Sequence, residues 1–481
     1  MQKVIKNVLI STRFNKLQLV DIYFDERITS VEPAFNKEID WLEIENKEQF
    51  DLFISQVESK NYSESIQVFD GGFKLAIPGA IDAHVHFNTP GFEFRDEFEY
   101  ASKSAAVGGT TTIFDMPCTS IPPVTSKENF SIKQKALSGK AFIDYKFWGG
   151  ISGNDFEEIN KLKKQVKELC ESGVAGFKVY TISGMQSFTD LTYEQIKIAA
   201  QVVKENNSIL AVHAEDKKLV TDREKSARMN LKSDWGAYCG ARDDQAEAKA
   251  VFNVINIAAE TGCHIHIVHL SSALGLGLIR KAQKQGVRVT TETCPHYLQF
   301  TQIDFDDPKI TKLLKTAPPV KFETDRDALW NGLKDGTISF VTTDHAGCDP
   351  LKEKISDDFW EVYGGIPGVQ HRVNYMLSEG FFKGKIDLQT TVHLLSAGVA
   401  EIFGLTDKGT ILKGFDADIT LVDLYKNQKI NSKEMLCKGK YTPFNGIELK
   451  SSISEVFLRG RKIVDRGKIY SPDYHGNLLT K

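Results

Sequence analysis

The stretch Ile77-Pro78-Gly79-Ala80-Ile81-Asp82-Ala83-His84-Val85-His86 decides the fold. An apolar run ends in two histidines at alternate positions, so on a strand both imidazoles point to the same side. Four later segments repeat the design: Gly176-Phe177-Lys178-Val179, Leu210-Ala211-Val212-His213-Ala214-Glu215, His264-Ile265-His266-Ile267-Val268-His269 and Phe340-Val341-Thr342-Thr343-Asp344-His345. In each, an apolar, β-branched stretch meets an ionisable residue. Parallel strands buried on both faces read as short apolar runs, and their C-terminal ends face the loops. A polar side chain there points into a site. Five such endings, in register with a strand–helix rhythm, point to a metal site.

The rhythm extends outward from that stretch. Strands are expected over 76–83, 110–115, 143–148, 175–179, 209–213, 264–269, 288–292 and 340–344. Helical stretches lie between them. One covers 157–171 with Ile159, Leu162, Val166 and Leu169 inward and Gly173 as its stop, and another covers 245–261 and stops at Gly262. Eight βα units predict an α/β fold, a (β/α)8 TIM barrel with its site at the strand C-terminal ends. A doubly wound sheet is the rival, but it would gather the ligands at one switch point.

Both ends of the chain read as β structure. Val4 to Ile10, Leu17 to Phe24 and Ile28 to Val31 alternate, with turns at Asn15 and Asp25-Glu26, and strands return at 410–412, 417–422 and 456–463. The expected organisation is a β-sandwich built from both termini, 1–72 and 406–481, around a barrel over 73–405. A charged insert precedes the barrel. There Asn46 is expected to cap a short helix with Phe50, Phe53, Ile54 and Val57 on one face.

Composition narrows the partners. A net charge of −4 over 481 residues gives no basic footprint for nucleic acid. No apolar run approaches the roughly 20 residues of a membrane span, and the first residues lack a secretory pattern. The seven cysteines are scattered without a C-x-x-C pair, which fits reduced thiols in the cytoplasm.

The candidate ligands carry different weights. His84 and His86 converge as neutral imidazoles would on a divalent ion. His213 is either a hydrogen-bonded core histidine or a ligand. Among the three histidines of 264–269, alternation places His269 with Ile265 and Ile267 and turns His264 and His266 the other way. His269 is therefore taken as the ligand, and the other two as packing or helix-facing residues. Asp344 reads as a helix N-cap or as ligand and proton shuttle. Lys178, costly if charged and unpaired, is either ion-paired or a reactive, modified amine.

These residues together resemble the cyclic amidohydrolases: allantoinase, dihydroorotase and hydantoinase or dihydropyrimidinase. The resemblance runs from Phe73 to about Lys468. It is carried by the segments above with Gly108-Gly109-Thr110-Thr111, Val268-His269-Leu270-Ser271-Ser272, Glu292-Thr293-Cys294-Pro295-His296-Tyr297 and Lys408-Gly409-Thr410…Gly414-Phe415-Asp416-Ala417-Asp418. It implies two divalent metal ions of the Zn2+ type held by His84, His86, Lys178, His213, His269 and Asp344. Lys178 would be N6-carboxylated and bridge them. A shared, acidified water would attack a ring amide, with Asp344 as the catalytic proton carrier. The implied partner is a small cyclic ureide or amide, and the expected assembly is a homo-oligomer, dimer or tetramer.

Substrate choice rests on departures from the family pattern. Dihydroorotases carry an arginine two residues after the second histidine and an asparagine after Met-Pro; this chain has Asn88 and Cys118. Neither replaces a guanidinium as the partner of a carboxylate. The sole nearby cation, Arg95, is expected to pair with Glu93 and Asp96 on the surface. Phe87-Asn88, Ser120-Ile121-Pro122-Pro123, Ser183-Gly184 and Cys294-Pro295-His296-Tyr297 look allantoinase-like, whereas Tyr363-Gly364-Gly365-Ile366-Pro367 leans toward hydantoinases. Asn88, Cys118, Ser183, Cys294, His296 and Gly364 are the expected substrate-binding residues. An allantoin- or hydantoin-type ureide is the expected substrate, with dihydroorotate as the alternative. A non-catalytic assembly protein of the same fold is the alternative of a different class.

Overall fold

The computed structural model describes the chain except residues 1, 45–46, 58–59, 157 and 481, so the expected Asn46 cap lies outside the described residues. Both termini build one mixed sheet. Its strand order runs Lys468–Ile469, Arg461–Asp465, Ser452–Leu458, Ile419–Asp423, Leu75–Pro78, Lys3–Arg13, Lys16–Phe24, Ile28–Asp40, with Gln67–Asp70 also paired to Lys3–Arg13. Ile5, Val8, Val20, Ile22, Phe24, Ile419, Leu421 and Phe457 form its own apolar core, so the sandwich is a packed layer in itself. The strand expected over 410–412 is absent. That segment is a turn region rich in bends, and the sheet resumes at Ile419.

The opening stretch is two strands rather than one. Leu75–Pro78 belongs to the sandwich and pairs antiparallel with Ile419–Asp423. Ala80–His86 is the first barrel strand and pairs in parallel with Thr110–Asp115. Gly79 is the joint. A Cβ there would lie 2.2 Å from Thr111 Oγ1, so only glycine lets the chain cross this tightly from one layer to the other.

The barrel continues through Asp144–Phe147 with Gly149–Gly150, then Phe177–Tyr180, Ile209–His213, His264–Ile267, Val289–Thr293 and Phe340–Val341. It closes where His345–Ala346 pairs with Val85 and His86. Ile81, Ala83, Phe114, Met116, Trp148, Ala211 and Phe340 fill the interior. Phe177, Val179, Leu210, Val212, Ile265 and Ile267 face the surrounding helices. The helix Asp244–Thr261 ends on Gly262 at φ 67°, as its sequence stop requires, and Gly173 follows Ile159–Glu171 at φ 85°.

A buried ionic group joins the two layers. Lys408 Nζ lies 2.8 Å from Asp144, 3.0 Å from Asp416 and 2.7 Å from Asp418, and Arg459 also reaches Asp144. The lysine ammonium occupies the centre of this acidic cluster. Among the described residues no helix is long and apolar enough to cross a membrane.

Candidate active site

His84, His86, Lys178, His213, His269 and Asp344 all line one cavity of about 460 Å3 at the C-terminal ends of the barrel strands. They fall into two groups. His84 Nε2 and His86 Nε2 each lie 3.1 Å from Asp344 Oδ1. His213 Nδ1 and His269 Nε2 lie 2.9 Å apart. The rings of His84 and His269, 5.5 Å between centroids, connect the groups.

Local backbone turns aim two of these side chains. Alternation alone would send His269 outward with Ile265 and Ile267, but the strand ends at Ile267 and His269 adopts φ 40°. The left-handed turn swings its ring into the cavity. Asp344 sits at φ 47° in the gap between Phe340–Val341 and His345–Ala346. Such conformations are costly for non-glycine residues and cluster where function requires them. His266, expected among packing or helix-facing positions, points into the barrel and stacks on Phe340 with ring centroids 5.1 Å apart.

The donor chemistry fits divalent cations. Burial pushes His213 and His269 toward neutral imidazole, the form that ligates. His84 Nε2 is buried without a hydrogen-bond partner. Burial opposes a charged His86, yet Cys118 and Asp344 push it up to about 10, so filling this group must displace a proton. Burial lowers the Lys178 amine. No carboxylate among the described residues lies within 4 Å of its Nζ, and Tyr180 offers only a ring face 5.1 Å away.

Carboxylates behind the histidines set their orientation. Glu215 Oε2 lies 2.9 Å from His213 Nε2 and pairs with Arg242. Glu292 Oε1 lies 2.5 Å from His84 Nδ1. Such outer partners fix tautomer and ring direction. Neither glutamate belonged to the expected set, although Glu215 follows the strand Ile209–His213 by two residues and Glu292 lies one residue before the end of Val289–Thr293.

The expected substrate-binding residues divide. Cys118, Ser183 and Gly364 line the cavity. Cys118 Sγ lies 3.1 Å from Tyr180 OH, and Ser183 Oγ donates to Phe188 O at 2.7 Å. Asn88, Cys294 and His296 are buried but are not part of the cavity wall. Arg95 departs from its expected surface pairing with Glu93 and Asp96. It lines the cavity, pairs with Glu353 at 2.7 Å and stacks over Tyr363 at 4.3 Å. Asp96 is buried against His345 instead. Arg242, Lys315 and Tyr363 complete the wall near it.

A closed barrel whose strand ends turn histidines, a lysine and an aspartate into one mouth defines a class of metal-ligating barrel proteins. The sequence profile of the Amidohydrolase family matches residues 75–463, and the chain belongs to that family. An allantoinase from Rubrobacter xylanophilus is 35% identical over 402 residues, covering 82% of this chain and 86% of that one. An allantoinase from Saccharomyces cerevisiae is 34% identical, covering 80% and 82%. Among solved structures, the L-hydantoinase (dihydropyrimidinase) from Arthrobacter aurescens superposes with a TM-score of 0.88 at 26% identity, covering 100% of this chain and 99% of that one.

Proposed function

We propose that this chain is a metal-dependent cyclic amidohydrolase that opens a ureide ring of the allantoin type. The observation that carries the reading is the convergence of His84, His86 and Asp344 with His213, His269 and Lys178 on one cavity, in a chain similar over four-fifths of its length to allantoinases. His84, His86 and Asp344 would hold one divalent ion, His213 and His269 a second, and an N6-carboxylated Lys178 would bridge them, with Zn2+ as the ion their nitrogen-rich donor set suits. Bound ions supply Lewis acidity that activates water and polarises a ring carbonyl. Asp344 accepts the water's proton on its carboxylate and returns it to the leaving ring nitrogen; the C–N bond breaks, the attacked carbonyl becomes a carboxylate and the nitrogen becomes the terminal NH2 of a ureido group. The wall supplies the ring's amide partners through Cys118, Ser183 and the backbone around Gly364.

A dihydroorotase reading draws on Arg95, since a guanidinium in the wall could meet a carboxylate. The cations there are already matched, however. Arg95 pairs with Glu353, Arg242 with Glu215, and Lys315 donates to the carbonyls of Phe359, Trp360 and Val362. A carboxylated ring would have to compete with these partners, and a neutral ring has no such cost. The seven unpaired cysteines support a cytoplasmic setting, and a homo-oligomer, dimer or tetramer, is the assembly proposed.

The deciding experiment is a turnover panel of allantoin, hydantoin, dihydrouracil and dihydroorotate on metal-loaded protein. Preference for allantoin is expected. Efficient turnover of the dihydroorotate couple with none of allantoin would replace this reading by dihydroorotase, and no turnover of any ring by protein carrying metal would favour the non-catalytic alternative.

A further inference from the structure

Glu292 stands near the end of the seventh barrel strand, Val289–Thr293, with 1% of its surface exposed. It is not a member of either donor group, yet it touches both. Its Oε1 lies 2.5 Å from His84 Nδ1 and accepts the backbone N–H of His269 at 3.3 Å. Its Oε2 lies 3.3 Å from His266 Nε2. His266 Nδ1 is 3.0 Å from Thr290 Oγ1, and Thr290 Oγ1 is 2.9 Å from His264 Nε2 at the other end of the barrel.

These contacts have one self-consistent set of donors with neutral rings. His264 Nε2–H donates to Thr290 Oγ1, the Thr290 hydroxyl donates to His266 Nδ1, and His266 Nε2–H donates to Glu292 Oε2. His84 Nδ1–H and the His269 amide donate to Oε1. Each bond points toward the carboxylate, and a carboxylate is the side chain that accepts on both oxygens and donates on neither. The arrangement leaves the Nε2 lone pair of His84 facing Asp344. It also pins the His269 backbone at the residue whose φ of 40° breaks the strand pleat.

We infer that Glu292 is the positioning residue of the metal centre, fixing the ring of His84 and the left-handed turn of His269 together, and that His266 and Thr290 hold it in place. The inference rests on the metal-dependent reading above. It says more than that reading, because it couples the two donor groups through one side chain that ligates neither ion.

The test is metal affinity, measured by chelator competition on the full chain, alongside the absorption spectrum of the Co2+-loaded protein. Glu292→Gln keeps the shape but offers one acceptor oxygen and an NH2 group, so either His84 or His266 must face a donor with a donor. A loss of about 10–100-fold in affinity is expected, with a changed Co2+ spectrum, the range typical when an outer partner of a ligating histidine is removed. Thr290→Val leaves every candidate ligand in place and removes the hydroxyl that bonds His264 and orients His266. It should weaken affinity by several-fold, and it keeps the test decisive if Glu292→Gln does not fold. Wild-type affinity and spectrum in both variants, or in Thr290→Val if it alone folds, would overturn the role of Glu292. Wild-type protein that takes up no divalent ion would overturn the metal reading instead.

Discussion

His213 and His269 face each other nitrogen to nitrogen across 2.9 Å, with Nδ1 of one opposite Nε2 of the other. One of the two must be protonated for this to be a hydrogen bond. The remaining His213 nitrogen is already committed to Glu215 at 2.9 Å. Two lone pairs aimed at one point, from rings that burial keeps neutral, are the geometry of a shared cation. His84, His86 and Asp344 likewise bring one ligand atom each to a common point.

Metal content is the first expected outcome. Elemental analysis of protein purified without chelator should give close to two divalent ions per chain. Dialysis against a strong chelator should abolish turnover and re-addition of Zn2+ should restore it. Full activity in metal-free protein would be incompatible with the site as described.

Lys178 is buried with its amine lowered by desolvation. An uncharged amine is nucleophilic and can take up carbon dioxide. Lys178→Ala should lose metal and at least about 99% of turnover, and added bicarbonate or a short carboxylic acid should restore part of both. Lys178→Arg should fail to be rescued, because a guanidinium stays cationic. Unchanged metal loading in Lys178→Ala would make the lysine a packing residue.

Asp344 Oδ1 lies 3.1 Å from His84 Nε2 and from His86 Nε2, and Asp344 carries the proton in the proposed reaction. Asp344→Asn retains an oxygen but cannot take a proton. Turnover should fall by about 10²–10⁴-fold, the usual worth of a positioned acid–base group, while metal content falls much less. Turnover within a few-fold of wild type would move the proton transfer to another residue.

Acid stability offers a check away from the cavity. His371 is 5% exposed, its Nε2 has no hydrogen-bond partner, and its ring lies 4.8 Å from that of Phe444. Burial, with a contribution from His345, pushes it from 6.5 to about 3. The unfolded chain therefore takes up a proton near pH 6.5 that the folded chain refuses until about 3, so stability falls as pH drops through that window. Between pH 7 and 5 this one residue accounts for about 2 kcal/mol of lost stability. In metal-free protein, urea unfolding of His371→Gln should show an acid-induced loss smaller by about that amount. An identical loss in both proteins would mean the imidazole already titrates normally.

The barrel and the candidate donors were legible because their signals are local. Apolar runs, glycine stops and polar strand endings repeat along the chain, and family-type motifs mark the same positions. Finer features were not. Alternation assigned His269 and Ile265 to one face, whereas the φ of 40° turns the histidine away from it. Nothing in 76–83 separates a sandwich strand from a barrel strand until Thr111 is seen pressing on Gly79. Arg95 reads as a partner of its neighbours Glu93 and Asp96, but its carboxylate is Glu353, brought in from the short helix Pro350–Glu353 far along the chain. Glu292 was visible only as part of a motif, since its meaning lies in His84, His266 and His269, on two other segments.

The strand order of the terminal sheet has a bearing on how the chain is made. Leu75–Pro78 borders Lys3–Arg13 on one side and Ile419–Asp423 on the other. As synthesis proceeds from the N-terminus, the first strands emerge early and their inner edge stays open while the whole barrel is translated. Asp144 likewise stays without Lys408 and Arg459 until the last part of the chain has left the ribosome. An open strand edge of that kind is a template for wrong pairing. A nascent chain stalled before Ile419 should therefore depend on chaperones far more than the released one does.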